Sequence, residues 1–124
     1  MYEQLAQMVA AEFSDILIGH AILGRRSAAP LKLRLQIRDD TFVDVWLSLD
    51  QQRYAYHWEQ RAVRGLIHRH DNAPDHPDIS TFPKHFHNGS EDQIEPSTIS
   101  SNPQTAVREF LTFVRQRLNQ LDAP

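Results

Sequence analysis

The stretch LKLRLQIRDDTFVDVWLSL, residues 31–49, alternates apolar and polar side chains with a period of two. This period is typical of strands that bury one face and leave the other in water. The Asp39-Asp40 pair supplies a turn between the two halves. The predicted inward residues are Leu31, Leu33, Leu35, Ile37, Val43, Val45, Leu47 and Leu49.

The pattern continues on both sides of this stretch. RYAYHWE (53–59) predicts a third strand with its tyrosines and Trp58 inward, and RGLIHRH (64–70) predicts a fourth. Residues 15–24 are apolar and fit either a strand or the end of a helix, and RRSAAP (25–30) predicts a loop. Short connections between consecutive strands favour an antiparallel meander.

A helix is predicted at each end of the chain. Leu5, Met8, Val9 and Phe13 have helical spacing in the first 13 residues. Near the other end, Asn102 caps and Pro103 opens a helix. Its apolar stripe consists of Val107, Phe110, Leu111, Val114, Leu118 and Leu121.

The resulting fold class is α+β. We expect an antiparallel meander of four to five strands, with the N- and C-terminal helices packed on one face. Residues 71–101 contain four prolines and predict a long His/Pro-rich loop. A chain of 124 residues fits a single domain, 1–124.

Composition narrows the class of protein. The absence of cysteine excludes disulfides and thiolate zinc sites and fits a cytoplasmic location. No signal peptide is predicted, because the first residues contain no basic segment followed by a long apolar run, and no membrane span is predicted, because no run of about 18 apolar residues occurs. The formal net charge is -3, so binding to RNA would need a local basic patch.

The polar face of the predicted sheet supplies such a patch. A basic face with an exposed tryptophan can hold a phosphate backbone and stack a base, although an ordinary solvated face fits the same pattern. The residues expected there are Lys32, Arg34, Arg38, Trp46, Arg53, His57, Arg64, His68 and His70.

Five of the seven histidines lie in HRHDNAPDHPDISTFPKHFHNG, residues 68–89. One interpretation is a metal site, in which His85 and His87 or His68 and His70 chelate with Asp71 or Asp75. A second is acid–base chemistry on RNA, since imidazole titrates near neutrality. A third is an ordinary surface loop, because the residues of DNAPDHP are also typical of turns.

Three fragments together resemble the TumE-like family of prokaryotic toxin–antitoxin toxins. They are YAYHW (54–58), RHDNAPDHP (69–77) and TFPKHFHNGSED (81–92), and the similarity extends over about residues 40–118. The positions that match the family's motifs are Tyr56, His57, Trp58, Arg69, Asp71, Asn72, His76, Thr81, Lys84, His85 and His87.

The resemblance implies a toxin that acts on RNA and is neutralised by a helix-turn-helix antitoxin. We therefore expect a metal-independent ribonuclease without a cofactor, in which His57, His85 or His87 supply acid and base while Arg69 and Lys84 hold the phosphate. A homodimer remains an option for its assembly. The alternatives are a non-enzymatic protein- or ligand-binding module and a metal-dependent hydrolase. The expected binding residues are Arg34, Trp46, Tyr56, His68, His70, Asp71 and His76.

Overall fold

A computed structural model describes residues 1–25 and 28–124 of the chain. Within these residues, seven strands form one antiparallel sheet in sequential order, so the meander is confirmed and the expected number of four to five strands is too low. Of the predicted loop 25–30, residues 26–27 lie outside the described residues, and a strand begins at Ala28. The strands are β1 (Leu17–Arg25), β2 (Ala28–Ile37), β3 (Phe42–Leu47), β4 (Tyr54–Gln60), β5 (Leu66–Asp71), β6 (His85–Gly89) and β7 (Ile94–Pro96).

Both predicted terminal helices form, and they cover one face of the sheet. Helix α1 spans Tyr2–Glu12, and α3 spans Pro103–Asp122; a single turn, α2 (Arg61–Arg64), separates β4 from β5. The Asn102 side chain caps α3 by accepting from the Thr105 backbone N–H at 3.1 Å. Five of the six predicted stripe residues of α3 are buried, whereas Leu121 is exposed near the helix end.

The predicted inward residues of β2 to β4 fill the core beneath the helices. Leu33 lies opposite Val45, and Val45 lies opposite Tyr56, so the three side chains share the helix-covered face. All three are buried, as is Trp58. Leu31 is exposed, and Leu49 is 99% exposed because β3 ends at Leu47 and the chain turns there.

The predicted long His/Pro-rich loop is broken by two short strands. Residues 72–84 connect β5 to β6, while β6 and β7 lie within the segment that was expected to be irregular. Pro83 precedes β6, and Pro96 ends the edge strand β7. Proline is tolerated at these positions because it removes no hydrogen bond from the interior of a sheet.

Strand β5 has the opposite phase to the one predicted. His70 lies opposite Tyr56 and His68 opposite Trp58, so both histidines lie on the helix-covered face. Arg69 and Asp71 take the helix-free face instead. The turn α2 and Gly65, with φ 72°, set the entry into β5, and a shift of one residue moves every side chain of a strand to the other face.

Candidate active site

Strands β4, β5 and β6 place their polar residues in two rows on the helix-free face. In one row His57 lies opposite Arg69, which lies opposite His87; in the next row Asp71 lies opposite His85. The 72–84 loop brings His76 over this surface, with its ring centroid 4.7 Å from that of His85 and 5.8 Å from that of His87. We call His76, His85 and His87 the histidine cluster.

Backbone carbonyls hold the two buried histidines of the cluster. His85 Nδ1 donates to the Pro83 carbonyl at 3.0 Å, and His87 Nδ1 donates to the Glu91 carbonyl at 3.0 Å. Because a carbonyl only accepts, each Nδ1 carries a proton, and each Nε2 is left to face the site. The Nε2 atoms lie 3.0 Å and 3.6 Å from the two carboxylate oxygens of Asp71.

Arg69 connects the cluster to the rest of the face. Its guanidinium donates to Asp71 Oδ2 at 2.9 Å, to Glu91 Oε1 at 2.6 Å and to His57 Nδ1 at 3.2 Å. Since His57 Nδ1 accepts, Nε2 carries the proton and donates to Glu59 Oε1 at 3.1 Å. Arg69 therefore holds two carboxylates and one imidazole in fixed orientations.

Burial and neighbouring charges set the ionisation of these groups. Burial lowers the pKa of His57, and Arg69 lowers it further, against the opposing effect of Glu59. The hydrogen bond from Arg61 lowers the pKa of Glu59 to about 2. Burial alone would raise the pKa of Asp71, but its contacts with His87 and Arg69 outweigh burial and hold that pKa well below the usual range. At neutral pH His57 is neutral and both carboxylates are ionised.

A cavity of about 480 Å³ opens beside these rows. Arg34 pairs with both oxygens of Asp44, at 2.8 Å and 3.0 Å, and its guanidinium lies 3.8 Å from the centre of the Phe42 ring. The Trp46 Nε1 is buried and has no hydrogen-bond partner in the described residues. The side chains that line the cavity include Lys32, Arg34, Phe42, Trp46, His57 and Arg69.

The helix-free face is less basic than the sequence suggested. Lys32 lies 2.9 Å from the carboxylate of Asp44, which also forms an ion pair with Arg34. Two of the expected cations lie elsewhere: Arg38 pairs with Asp122 on α3 at 2.7 Å, and Arg64 pairs with Asp39. Arg53 is exposed just before β4.

The structure brings together four of the five predicted catalytic residues. His57, Arg69, His85 and His87 share the helix-free face, whereas Lys84 Nζ donates to the Ile99 carbonyl at 2.7 Å and lies outside the group. Their catalytic roles stay predictions.

The predicted binding residues divide between the two faces. Arg34 and Trp46 line the cavity, and Asp71 and His76 adjoin His85. The expected positions of His68 and His70 on the open face are wrong. Both lie on the helix-covered face together with Tyr56, where they stack against Phe86.

Two carboxylates of the site were not among the predicted site residues. Glu59 bonds His57, and Glu91 bonds Arg69 from the turn between β6 and β7. Glu59 lies on the same face of β4 as His57, and the period of two could have identified it. The position of Glu91 depends on a hairpin that the sequence analysis did not predict.

His68 is a core residue whose hydrogen bond requires a neutral ring. The Gln60 side-chain amide donates to His68 Nδ1 at 2.7 Å, and Gln60 Oε1 accepts from Arg64 at 3.0 Å. Burial, with Arg117 and Arg64 nearby, lowers the pKa of His68 to about 4. A proton on Nδ1 would break the bond from Gln60 and place a third positive charge beside two arginines.

We therefore expect the protein to lose stability as the pH falls from 6.5 to about 4. In this window the unfolded chain binds a proton at His68 and the folded chain does not, so protonation favours unfolding; above pH 6.5 both states are neutral. Between pH 7 and pH 5, His68 should account for about 1–2 kcal/mol of the lost free energy of unfolding. Urea titrations of wild type and His68→Phe at both pH values measure it, with His20→Ala, an exposed histidine, as the control. An equal acid loss in His68→Phe and wild type would contradict this assignment.

These observations define an α+β protein whose helix-free sheet face carries a hydrogen-bonded histidine, arginine and carboxylate site. Residues 12–118 match the family described as Toxin TumE, and the chain belongs to that family. The resemblance inferred from the motifs is thereby confirmed. No curated protein and no solved structure matches the chain.

Membership of a toxin family makes this chain the toxin component of a toxin–antitoxin pair, with an antitoxin as its partner. In the described part of the chain, no helix has the length and apolar character needed to cross a membrane. The helix-turn-helix type of the antitoxin, the RNA substrate, a homodimer and a cytoplasmic location stay predictions.

Proposed function

We propose that this toxin is a ribonuclease and that it cleaves RNA where the cavity meets the histidine cluster. One observation carries the proposal: Arg69 lines the cavity and is bonded both to His57 and to Asp71, which adjoins His85 and His87. A pocket for a nucleotide and a set of oriented ionisable groups are thus continuous. Such a combination is typical of an active site.

The cavity has the features needed to hold one nucleotide of a single strand. Trp46 is half-buried at its wall and can stack a base, a contact worth about 1–3 kcal/mol. Lys32 is the most exposed of the three cations of the wall, and its ammonium has three N–H donors, so it can contact a phosphate while it stays paired with Asp44. Arg69 already donates to Asp71, Glu91 and His57, so in this proposal it orients groups and Lys32 takes the phosphate contact.

Histidine acid–base chemistry is the mechanism that the sequence favours for this site. Cleavage by the 2′-OH needs a base for the hydroxyl proton and an acid for the leaving oxygen. Of the three predicted histidines, His57 borders the cavity and is kept neutral by its surroundings, which suits a base. His85 and His87 are buried with both ring nitrogens facing protein atoms, so they act on the substrate less directly than the sequence suggested.

The proposal is tested with purified protein and a single-stranded RNA of mixed sequence. We expect shortened products with a 2′,3′-cyclic phosphate if the 2′-OH is the nucleophile, and growth arrest on expression that a co-expressed antitoxin reverses. Trp46→Ala should raise KM by roughly 5–150-fold, the equivalent of one lost stacking contact, with little change in kcat. Growth arrest with RNA left intact would instead favour the non-enzymatic binding module.

A further inference from the structure

We propose that His76, His85 and His87 bind one first-row divalent transition-metal ion, with Asp71 as the anion beside it. Each residue offers a ring nitrogen, and these three atoms lie within 4.8 Å of one another. His85 and His87 come from one strand, and His76 comes from the 72–84 loop that covers it. Imidazole is a preferred ligand of zinc, nickel, copper and iron.

The orientation of the rings is the first argument. Both Nδ1 atoms of the strand pair donate to backbone carbonyls, so each ring presents its Nε2 to the site beside Asp71. Metal-binding histidines usually hold their second nitrogen in this way, because the bond fixes the ring and increases its basicity. His85 and His87 are therefore oriented as ligands before any ion arrives.

The spacing is the second argument. Ligand nitrogens about 2.1 Å from a tetrahedral ion lie roughly 3.4 Å apart, so nitrogens that now lie within 4.8 Å of one another need to approach by at most about 1.4 Å. The histidine that can make this movement is His76, since it is half-buried in a loop and makes no side-chain hydrogen bond within the described residues. Three protein ligands and one open position are the arrangement of catalytic zinc sites.

The carboxylate of Asp71 is the third argument. The Nε2 atoms of His85 and His87 lie 3.0 Å and 3.6 Å from the two oxygens of the Asp71 carboxylate, so two imidazoles and one carboxylate surround the same small site. Ring nitrogens and a carboxylate oxygen are ligands that zinc and other first-row divalent ions accept together.

This inference assigns His85 and His87, which the sequence favours as acid and base, to a metal site together with His76, and it leaves His57 as the base of the proposed function. Binding of the ion is independent of the proposed function, whereas its use as a Lewis acid beside the cavity rests on that proposal. Asp71 lies beside the proposed ion and accepts a hydrogen bond from Arg69, which lines the cavity. The ion would therefore lie close to the cavity.

The test uses the full chain without a polyhistidine tag, stripped of metal with a chelator and titrated with Zn²⁺ alone by calorimetry. We expect one ion per chain and a rise in Tm on binding. His76→Ala should weaken binding by at least about 10–100-fold and still fold, and His87→Ala should do the same. The matched control is His20→Ala, an exposed histidine on β1, which should bind as wild type does.

Titration with Co²⁺ provides a second readout that a structural effect would not change. A nitrogen-ligated ion should give visible absorption bands in wild type and lose them in His76→Ala. No binding, or equal binding by wild type and His76→Ala, would overturn the site. Binding without any RNA cleavage would leave the site standing and overturn the proposed function. RNA cleavage that survives the chelator, in a chain that binds no ion, would overturn the metal site and leave the proposed function standing.

Discussion

Alanine in place of His76 or His87 is expected to lower RNA cleavage by about 10²–10⁴-fold, because each substitution removes a ligand of the proposed ion, and a Lewis acid beside the cavity would contribute several kcal/mol to the reaction. Both side chains belong to the histidine cluster, and His87 adjoins Asp71 and Arg69. Single-turnover rates at saturating RNA separate this loss from weaker binding. The effect should appear in kcat, because the cluster lies beyond the stacking wall of the cavity.

Two controls distinguish this loss of activity from a loss of folding. His76 is half-buried on a loop, so His76→Ala should keep the circular dichroism spectrum and Tm of wild type within a few degrees. His20→Ala removes an exposed imidazole far from the cluster in the sheet order and should cleave at the wild-type rate. Full cleavage and toxicity in both His76→Ala and His87→Ala would exclude the histidine cluster from the active site.

Trp58→Ala is expected to lower the free energy of unfolding by about 3–5 kcal/mol, the usual cost of removing a large aromatic side chain from a core. Trp58 is 0% exposed, and its Nε1 donates to Thr41 Oγ1 at 2.8 Å. Its ring stacks on His68 and meets the edge of Phe113 on α3. The substitution therefore leaves a cavity and removes one of the two hydrogen bonds of the Thr41 hydroxyl, which still donates to Asp39.

The second tryptophan provides the matched control. Trp46 lies on the helix-free face, is half-buried, and has no partner for its Nε1 in the described residues. Trp46→Ala should cost less than about 2 kcal/mol, because its ring faces an open cavity. Urea unfolding of the two variants measures the difference. Similar losses for both would contradict the placement of Trp58 in the core and of Trp46 on the open face.

Much of the fold could be predicted because it depends on local periodicity. The period of two in residues 31–59 and the helical stripe near the C-terminus both follow from backbone geometry, and the structure confirms them in Leu33, Val45 and Tyr56. The number of strands was wrong because β6 and β7 are five and three residues long and are flanked by prolines. Strands this short carry too little alternation to be distinguished from a loop.

The site was predicted in part for a related reason. His57, His85 and His87 do share one face, since each lies on a strand with a period of two. Lys84 adjoins His85 in sequence, yet its side chain reaches the Ile99 carbonyl outside the cluster. Lys84 ends the 72–84 loop and lies outside β6, so the alternation of that strand does not fix the direction of its side chain.

By itself the sequence determined the class of protein, the antiparallel order of neighbouring strands and the residues that the helices bury, because alternation, caps and motifs are local properties of a chain. Only the tertiary structure decided which imidazoles meet. The α2 turn set the phase of β5 and sent His68 and His70 into the core. The 72–84 loop brought His76 onto the strand that carries His85 and His87. Both outcomes depend on the path of a short irregular segment, and the periodicity of a sequence does not predict that path.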